Sequence, residues 1–439
     1  RSVGGFDAAL DAYDDWDLWL RMSAWVTLRH LPRVVATTIF GGIAPPSPAA
    51  EAFARRRLAR HQRSRRIGAP VHQPVARRIW ARHPFDPETW QPGRRELVFQ
   101  SWFGGDHSFG VVSRYLIEGL ERAGVVPIVG PVVKELPAAL ERFRRDSGHE
   151  SRLSLVYQAG TLSPQLTNER IAYYGPWETS LVPRERIEDI NRQVALVFVP
   201  CQHNRAAYVQ SGVLPPVRVL PHGVDPVRFP LLDREAREVF TFGSFGQQTP
   251  RKGIDVLVRA FTAEFGPREP VRLILHATST RPLAFRRDQR IEVRSGYVDH
   301  AGVIGLMRSL DAFVLPSRGE GFGLGGLEAM ATGLPVIATN WSGPADYLDP
   351  ADSLPLSYRL VNAAGAESHG YRYFGEWAEP DEEHLRSLMR RLYEHPAEGR
   401  AMGRRASARV HNHWTWDRVV DRLIADLDLL AAGASPAGE

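Results

Sequence analysis

The sequence predicts an α/β protein made of two doubly wound domains facing a cleft. Three observations carry that prediction. Short β-like runs alternate with amphipathic helical runs in two successive arrays. Three of the strands end in turns that contain glycine, where such sheets bind ligands. The chain has 439 residues, more than one ordinary core organises.

The first array starts near Arg95. ELVFQSWF is an apolar run that opens into GGDHSFG, and VVSRYLIEGLERAG reads as a helix closed by glycine. SLVYQ, RIAYYG and VALVFVPC are further short strands, and the β-rich run VRVLPHGVD ends this half near residue 222. The second array covers residues 223–412. Strand EVFTFGSFG leads to helix GIDVLVRAFTAEFG, then strands VRLILHAT and IEVRSGYV, helix AGVIGLMRSL, and strands AFVLPS and PVIATN. Right-handed crossovers make both sheets parallel, so the loops after SWF, FGSFG and FVLPS lie at the ligand-binding edge. WTWDRVVDRL, within residues 413–431, is expected to cross back to the first domain. Residues 46–94 break the rhythm with proline, glycine and arginine and read as a linker.

Bulk composition excludes several classes. With 43% hydrophobic and 24% charged residues the chain is of ordinary globular type, and no apolar run approaches the roughly 20 residues that span a bilayer. The start, RSVGGFDAAL, carries neither an initiator Met nor an apolar signal segment and reads as the later part of a longer protein. The single cysteine, Cys201, excludes an internal disulfide, fits a reducing compartment, and reads as a small buried residue rather than a nucleophile. The net charge of +5 is local: residues 51–100 hold twelve Arg against four acids, or +8, which leaves −3 for the remainder. That pattern argues against a protein-wide field for nucleic acid. The basic run at residues 55–66 reads as a solvated helix or linker, or as a peripheral contact with an anionic membrane surface. Only Lys134 and Lys252 are lysines among the 55 basic residues, so a lysine inside a candidate site draws notice.

Arg318 to Pro335, RGEGFGLGGLEAMATGLP, places Glu320 and Glu328 eight positions apart with glycine at four of the seven positions between. Glycines 321, 323, 325 and 326 let the backbone approach a ligand and leave N–H groups free where a helix starts, near Leu324. Two carboxylates at different depths, with an anion site between them, match a hexose, a diphosphate and a ribose. The alternative is two surface residues on a tight β-α turn.

This stretch, continued through PVIATNWSGPADYL, resembles the signature of the group 1 (family 4) glycosyltransferases of GT-B fold, which pairs two Rossmann-like domains. The resemblance runs from about Arg95 to Leu430 and takes in YYGPWETSLVP, FVPCQHNRAAYVQSGV, LPHGVD, RKGIDVLVRAF and GEWAEPDEEHL. It implies an acceptor-side first domain, residues 95–222, and a donor domain, residues 223–412. It implies that Glu328 holds the ribose hydroxyls, that Glu320 meets the sugar, and that the backbone from Gly321 through Phe322, Gly323, Leu324 and Gly325 meets sugar and phosphate. Lys252 and Arg251 open a helix where a diphosphate would sit; the family's usual earlier arginine falls at Ser244 here. In the first domain, Gly105, Asp106 and His107, with Ser108, resemble the loop facing the donor, and Trp177 and Glu178 occupy the place where many relatives carry a histidine; the alternatives are an exposed loop histidine and a buried Trp with a paired Glu. No general base stands out. The implied reaction is retaining transfer of a hexose from a nucleotide sugar to a glycan, polysaccharide or lipid-linked acceptor, in the cytoplasm or at the inner membrane face, without metal or other cofactor. The alternative of another class is a catalytically silent scaffold or glycan-binding subunit.

Residues 1–45 stand apart. GGFDAALDAYDDWDLWLRM resembles the late acidic motif of family 2 glycosyltransferases of GT-A fold, which implies that Asp15, beside Asp14, descends from a catalytic base. The nucleotide- and metal-binding part of such a domain would precede residue 1, so this reads as a remnant inactive alone. Asp15-Trp16-Asp17 spells a metal motif, but so does Asp426-Leu427-Asp428, and neither is read as a site.

Overall fold

The computed structural model describes residues 85–103, 108–129, 136–145, 152–158, 170–247, 249–277, 288–368 and 371–432, all within residues 72–439, the second of the chain's two units. The GT-A resemblance with Asp14 and Asp15, the basic run 55–66, most of the linker, and Gly105, Asp106 and His107 lie outside the described residues.

The first lobe is a seven-stranded sheet of β1 (Trp90–Gln91), β2 (Arg94–Ser101), β3 (Val125–Val129), β4 (Leu153–Tyr157), β5 (Arg170–Tyr174), β6 (Val194–Val199) and β7 (Val217–Val219). From β3 through β2, β4, β5 and β6 to β7 every pairing is parallel; β1 alone adds antiparallel to β2. All six residues of β6, VALVFV, are buried, as a parallel strand covered on both faces requires. Helix α1 (Ser108–Arg122) turns Val112, Tyr115, Leu116 and Leu120 inward at helical spacing, and α2 (Arg184–Gln193) and α3 (Gln202–Gln210) complete the lobe. The run VRVLPHGVD yields only the three residues of β7, because Pro221 has no N–H to continue the ladder. Strand β3 is an addition that the alternating pattern does not announce.

The second lobe holds six parallel strands, β8 (Phe240–Phe245), β9 (Val271–Ala277), β10 (Ile291–Ser295), β11 (Ala312–Leu315), β12 (Val336–Thr339) and β13 (Leu354–Leu356), in the order β10-β9-β8-β11-β12-β13. The order reverses between β8 and β11, so the loops leaving those two strands splay apart and form the crevice. Helices α4 (Ile254–Glu264), α5 (His300–Arg308), α6 (Leu324–Ala331), α7 (Glu382–Glu394) and α8 (Pro396–His413) cover the sheet. Asp299 and Asp381 start α5 and α7 by accepting from the N–H groups of Gly302 and His384.

Helix α9 (Trp416–Ala431) returns to the first lobe and ties the two halves. Val419, Val420, Leu423, Leu427 and Leu430 enter the same core as Val112, Leu116 and Leu120, and Trp416 stacks on Tyr115 with ring centroids 5.1 Å apart. The acids of the Asp426-Leu427-Asp428 triplet serve this docking. Asp426 pairs with Arg218 at 3.1 Å, and Asp428 takes Arg95 at 3.0 Å and the Trp90 indole N–H at 2.8 Å. Each large side chain buried here contributes about 1.5–3 kcal/mol.

Leu423→Ala is therefore expected to destabilise the protein by about 2–5 kcal/mol in urea denaturation, by lost transfer energy plus the cavity left behind. Asp417→Ala, which removes only an exposed pair with Arg122, should stay within about 0.5 kcal/mol.

Candidate active site at the switch point

Two loops build the site, one from each side of the strand-order reversal. The loop after β8 ends in a single 3-10 turn, Pro250–Lys252, and Gly253 at φ +64° then opens α4. Glycine is required there twice over: the left-handed backbone disfavours a side chain, and a Cβ would strike the Pro316 carbonyl. The loop after β11 runs from Pro316 to Gly323. Arg318 joins the two. Its N–H donates to the Arg251 carbonyl at 2.7 Å, and its guanidinium spans Asp255 at 2.8 Å, Glu379 at 2.6 Å and the Pro250 carbonyl.

That join brings two cations onto one buried carboxylate. Lys252 Nζ donates to Glu320 Oε1 at 2.7 Å, Arg251 Nη1 to Oε2 at 3.2 Å, and the Ser317 hydroxyl to Oε1 at 2.6 Å. Burial works to raise the Glu320 carboxyl, but Lys252 and Arg251 outweigh it and hold the group at about 2. Burial pulls the Lys252 ammonium down while Glu320 supports it; Arg251 is raised despite burial, chiefly by Glu320. Two cations face one carboxylate at hydrogen-bond distance, and the Glu178 charge supports both from farther off. Two buried donors of the same loop, Arg251 Nε and the Thr249 hydroxyl, have no hydrogen-bond partner among the described residues. Such groups are rare in native interiors and fit an anion acceptor.

Glu328 lies on α6, half-buried, and no hydrogen bond or ion pair holds its carboxylate among the described residues. Burial raises its carboxyl from the ordinary 4.5 to about 8. Its charge is felt across the lobes at Tyr115, whose hydroxyl is pushed up to about 12, mainly by burial. Phe322 is buried against His222 with ring centroids 4.9 Å apart. His222, which the sequence does not single out, is buried at the junction of the lobes; its Nε2 lies 3.4 Å from the Tyr157 hydroxyl and its Nδ1 has no partner. Burial lowers its imidazole to about 3, so it is neutral.

Several of the expected site residues have protein neighbours close by. Gly321 does not leave its space to a ligand, since a Cβ there would lie 2.6 Å from Pro176 Cβ of the first lobe. The space beside Gly323, at φ +83°, is filled by Pro344 and the Tyr347 hydroxyl, each 3.0 Å from an added Cβ. Gly325 alone of the three stays open, with its nearest neighbour at 4.0 Å. Trp177 is buried, as the second of its two readings has it, and its indole N–H is shared between Thr179 Oγ1 at 2.9 Å and the Leu181 carbonyl at 2.6 Å. Glu178 is half-buried, its carbonyl pressed against Gly319, and its charge supports both Arg251 and Lys252. Ser244 is buried within β8 and bonds to none of Arg251, Lys252 or Glu320. Cys201 is buried; its thiol donates to the Gly321 carbonyl at 3.3 Å, and burial pushes it well above the usual thiol range. Ser317 and Arg318 flank the acid motif in sequence, yet nothing in their spacing tells that they hold Glu320 and both loops.

Solved structures similar to this chain include glycosyltransferases of GT-B fold. Sucrose-phosphate synthase from Thermosynechococcus elongatus superposes with a TM-score of 0.57 at 17% identity, covering 78% of this chain and all of that one. HepE from Anabaena, solved with UDP and glucose, gives 0.55 at 14% identity over 76% of this chain and 99% of its own. The fold thus defines the chain as a GT-B protein. Residues 236–363, within the second lobe, match the family model of the glycosyl transferases group 1. Among curated relatives, the lipopolysaccharide core mannosyltransferase LpsB of Rhizobium meliloti is 37% identical over 143 residues, 28% of this chain and 41% of LpsB. A GDP-mannose-dependent phosphatidylinositol monomannoside mannosyltransferase of Corynebacterium glutamicum is 25% identical over 297 residues, 61% of this chain and 72% of its own. The chain thus spans less than half of the first relative's length. No described helix is long and apolar enough to cross a membrane.

Glu328 gives a stability prediction with a definite sign. Between 4.5 and about 8 the folded chain keeps a proton that the unfolded chain releases, so stability falls as pH rises through that window. Glu328→Gln should raise the thermal midpoint at pH 8 by more than it does at pH 5, read by calorimetry at the two pH values.

Proposed function

We propose that this chain transfers a hexose from a nucleotide-diphosphate sugar to a glycan, polysaccharide or lipid-linked acceptor, with retention of configuration. The observation that carries the reading is the buried Arg251–Lys252–Glu320 cluster at the switch point, with unpartnered donors beside it. A diphosphate would share the two cations with Glu320 and bond to Arg251 Nε and Thr249. Lys252, released in part from Glu320, would stabilise the nucleotide as leaving group. Glu320 then turns its acceptor oxygens to the sugar hydroxyls. The N–H groups from Phe322 to Gly325, at the start of α6, face the same anion. Glu328 accepts from the ribose hydroxyls. Retention follows if the departing phosphate takes the acceptor proton on the same face, leaving orientation and electrostatics to the protein. The mannosyltransferase relatives make GDP-mannose the first donor to test and the UDP-bound neighbour makes UDP-glucose the second. We place the reaction in the cytoplasm, at the inner membrane face when the acceptor is lipid-linked.

Nucleotide release from GDP-mannose, UDP-glucose and ADP-glucose, with mass analysis of the glycosylated acceptor, tests the assignment. Lys252→Ala and Glu320→Gln should each reduce release at least a hundredfold. A scaffold would release nothing from any donor and show no thermal shift, whereas a donor at 100 times its Kd stabilises by about 2.7 kcal/mol. An inverted anomer in the product's proton spectrum would rule out the retaining step.

Donor affinity carries its own pH signature. The free chain holds Glu328 protonated below about 8, while ribose hydroxyls bind best to the carboxylate. Binding therefore releases a proton, and affinity should rise up to about tenfold per pH unit between pH 6 and pH 8. Titration calorimetry in buffers of different ionisation enthalpy checks it; Glu328→Gln should bind weakly and without that slope.

A further inference from the structure

Among the described residues, Ser342 is the one non-glycine with positive φ, at φ 55° and ψ −139°. A Cβ crowds the backbone in that region, which is close to being reserved for glycine, and side chains persist there only where the surroundings hold them. Ser342 is buried and lies just beyond β12, in the turn that leads to Gly343–Asp346. Glycine would adopt these angles without strain, so the turn alone gives no reason for a side chain.

The hydroxyl supplies one. Ser342 Oγ accepts a hydrogen bond from the Glu320 N–H at 3.0 Å, and the next residue, Gly343, donates its own N–H to the Glu320 carbonyl at 3.2 Å. Two consecutive residues thus grip Glu320 on both sides of its Cα. Gly343 has no room for a side chain, because an added Cβ would run into the Phe322 backbone. The strained turn is therefore pressed against the loop that carries the acid.

We propose that Ser342 is a positioning residue, kept in a glycine-like backbone because its hydroxyl fixes the Glu320 peptide in register with Lys252 and Arg251. The inference rests on reading Glu320 as the sugar-side carboxylate, and it assigns Ser342 a role in orientation rather than in donor affinity.

Two substitutions separate strain from function. Ser342→Gly removes both the hydroxyl and the strain; Ser342→Ala removes the hydroxyl and keeps the strain. With GDP-mannose and UDP-glucose as donors and nucleotide release as readout, both variants should lose at least fivefold in kcat with donor KM within threefold of the parent. The glycine variant should melt several degrees above the alanine variant. A glycine variant that keeps kcat within twofold overturns the proposal, as does one no more stable than the alanine variant. Glu320→Gln is the control for the underlying reading: if it releases nucleotide as fast as the parent, the assignment of Glu320 fails and the proposal with it. If it is inactive while Ser342→Gly is not, the proposal alone fails. Should neither donor be turned over by the parent, deuterium exchange in the peptide containing Glu320 decides: faster exchange in both variants supports the clamp, and unchanged exchange refutes it.

Discussion

Glu320 sits buried under Lys252, Arg251 and Ser317, and much of the surrounding structure is needed to keep it there. A carboxylate out of water is costly unless charge and hydrogen bonds compensate it closely. The compensation comes from two loops that leave different strands, so it exists only because β8 and β11 are neighbours across the point where strand order reverses. Arg318 bolts those loops together through Asp255 and Glu379, and the turn after β12 holds the Glu320 peptide from the far side. Removing the carboxylate would leave Lys252 and Arg251 buried side by side without the group that both of them contact.

The glycines around it do a different job from the one their number implies. Gly319, Gly321 and Gly375 are places where the lobes touch, against Glu178, Pro176 and Ser180. Ser180 completes that seam by donating its N–H to the Glu376 carbonyl at 3.0 Å and accepting the Glu376 N–H on its hydroxyl at 2.8 Å. The loop after β5 is therefore packed onto the second lobe at backbone distance, and α9 repeats the tie from the opposite direction. Motion between the lobes must work around these two fixed lines. Interlobe packing also explains Trp177: an indole with its N–H satisfied inside the first lobe and its ring 5.7 Å from Tyr373 of the second is a strut.

Glu320 and Glu328 are chemically alike and electrostatically opposite. One is held at about 2 by two cations; the other is raised to about 8 by burial without a partner. They differ because α6 begins between them. Glu320 precedes the helix, in a loop that can fold back on the cations, whereas Glu328 is fixed by helical geometry on a face that turns away from them. Eight residues of sequence thus give two acids that answer to ligand and pH in different ways.

The sequence by itself determined the twin α/β arrays, strands β8 to β12 and helices α4 to α6 of the second lobe, and the adjacency of the acid motif to a Gly-rich helix start; β13, α7 and α8 it left unmarked. These are local matters, set by periodicity, glycine and capping. It also marked Lys252, through the scarcity of lysine. The tertiary structure alone decided which groups meet. That Arg251 and Lys252 reach Glu320 across 69 and 68 positions, that Gly321 gives its space to Pro176, and that Ser342 bends into a glycine-like turn all follow from strand order and lobe packing. His222 shows the same limit, because its burial between Tyr157, Phe322 and Trp416 joins three segments far apart in the chain. Contacts between distant segments depend on the summed packing of two cores, which no local pattern records.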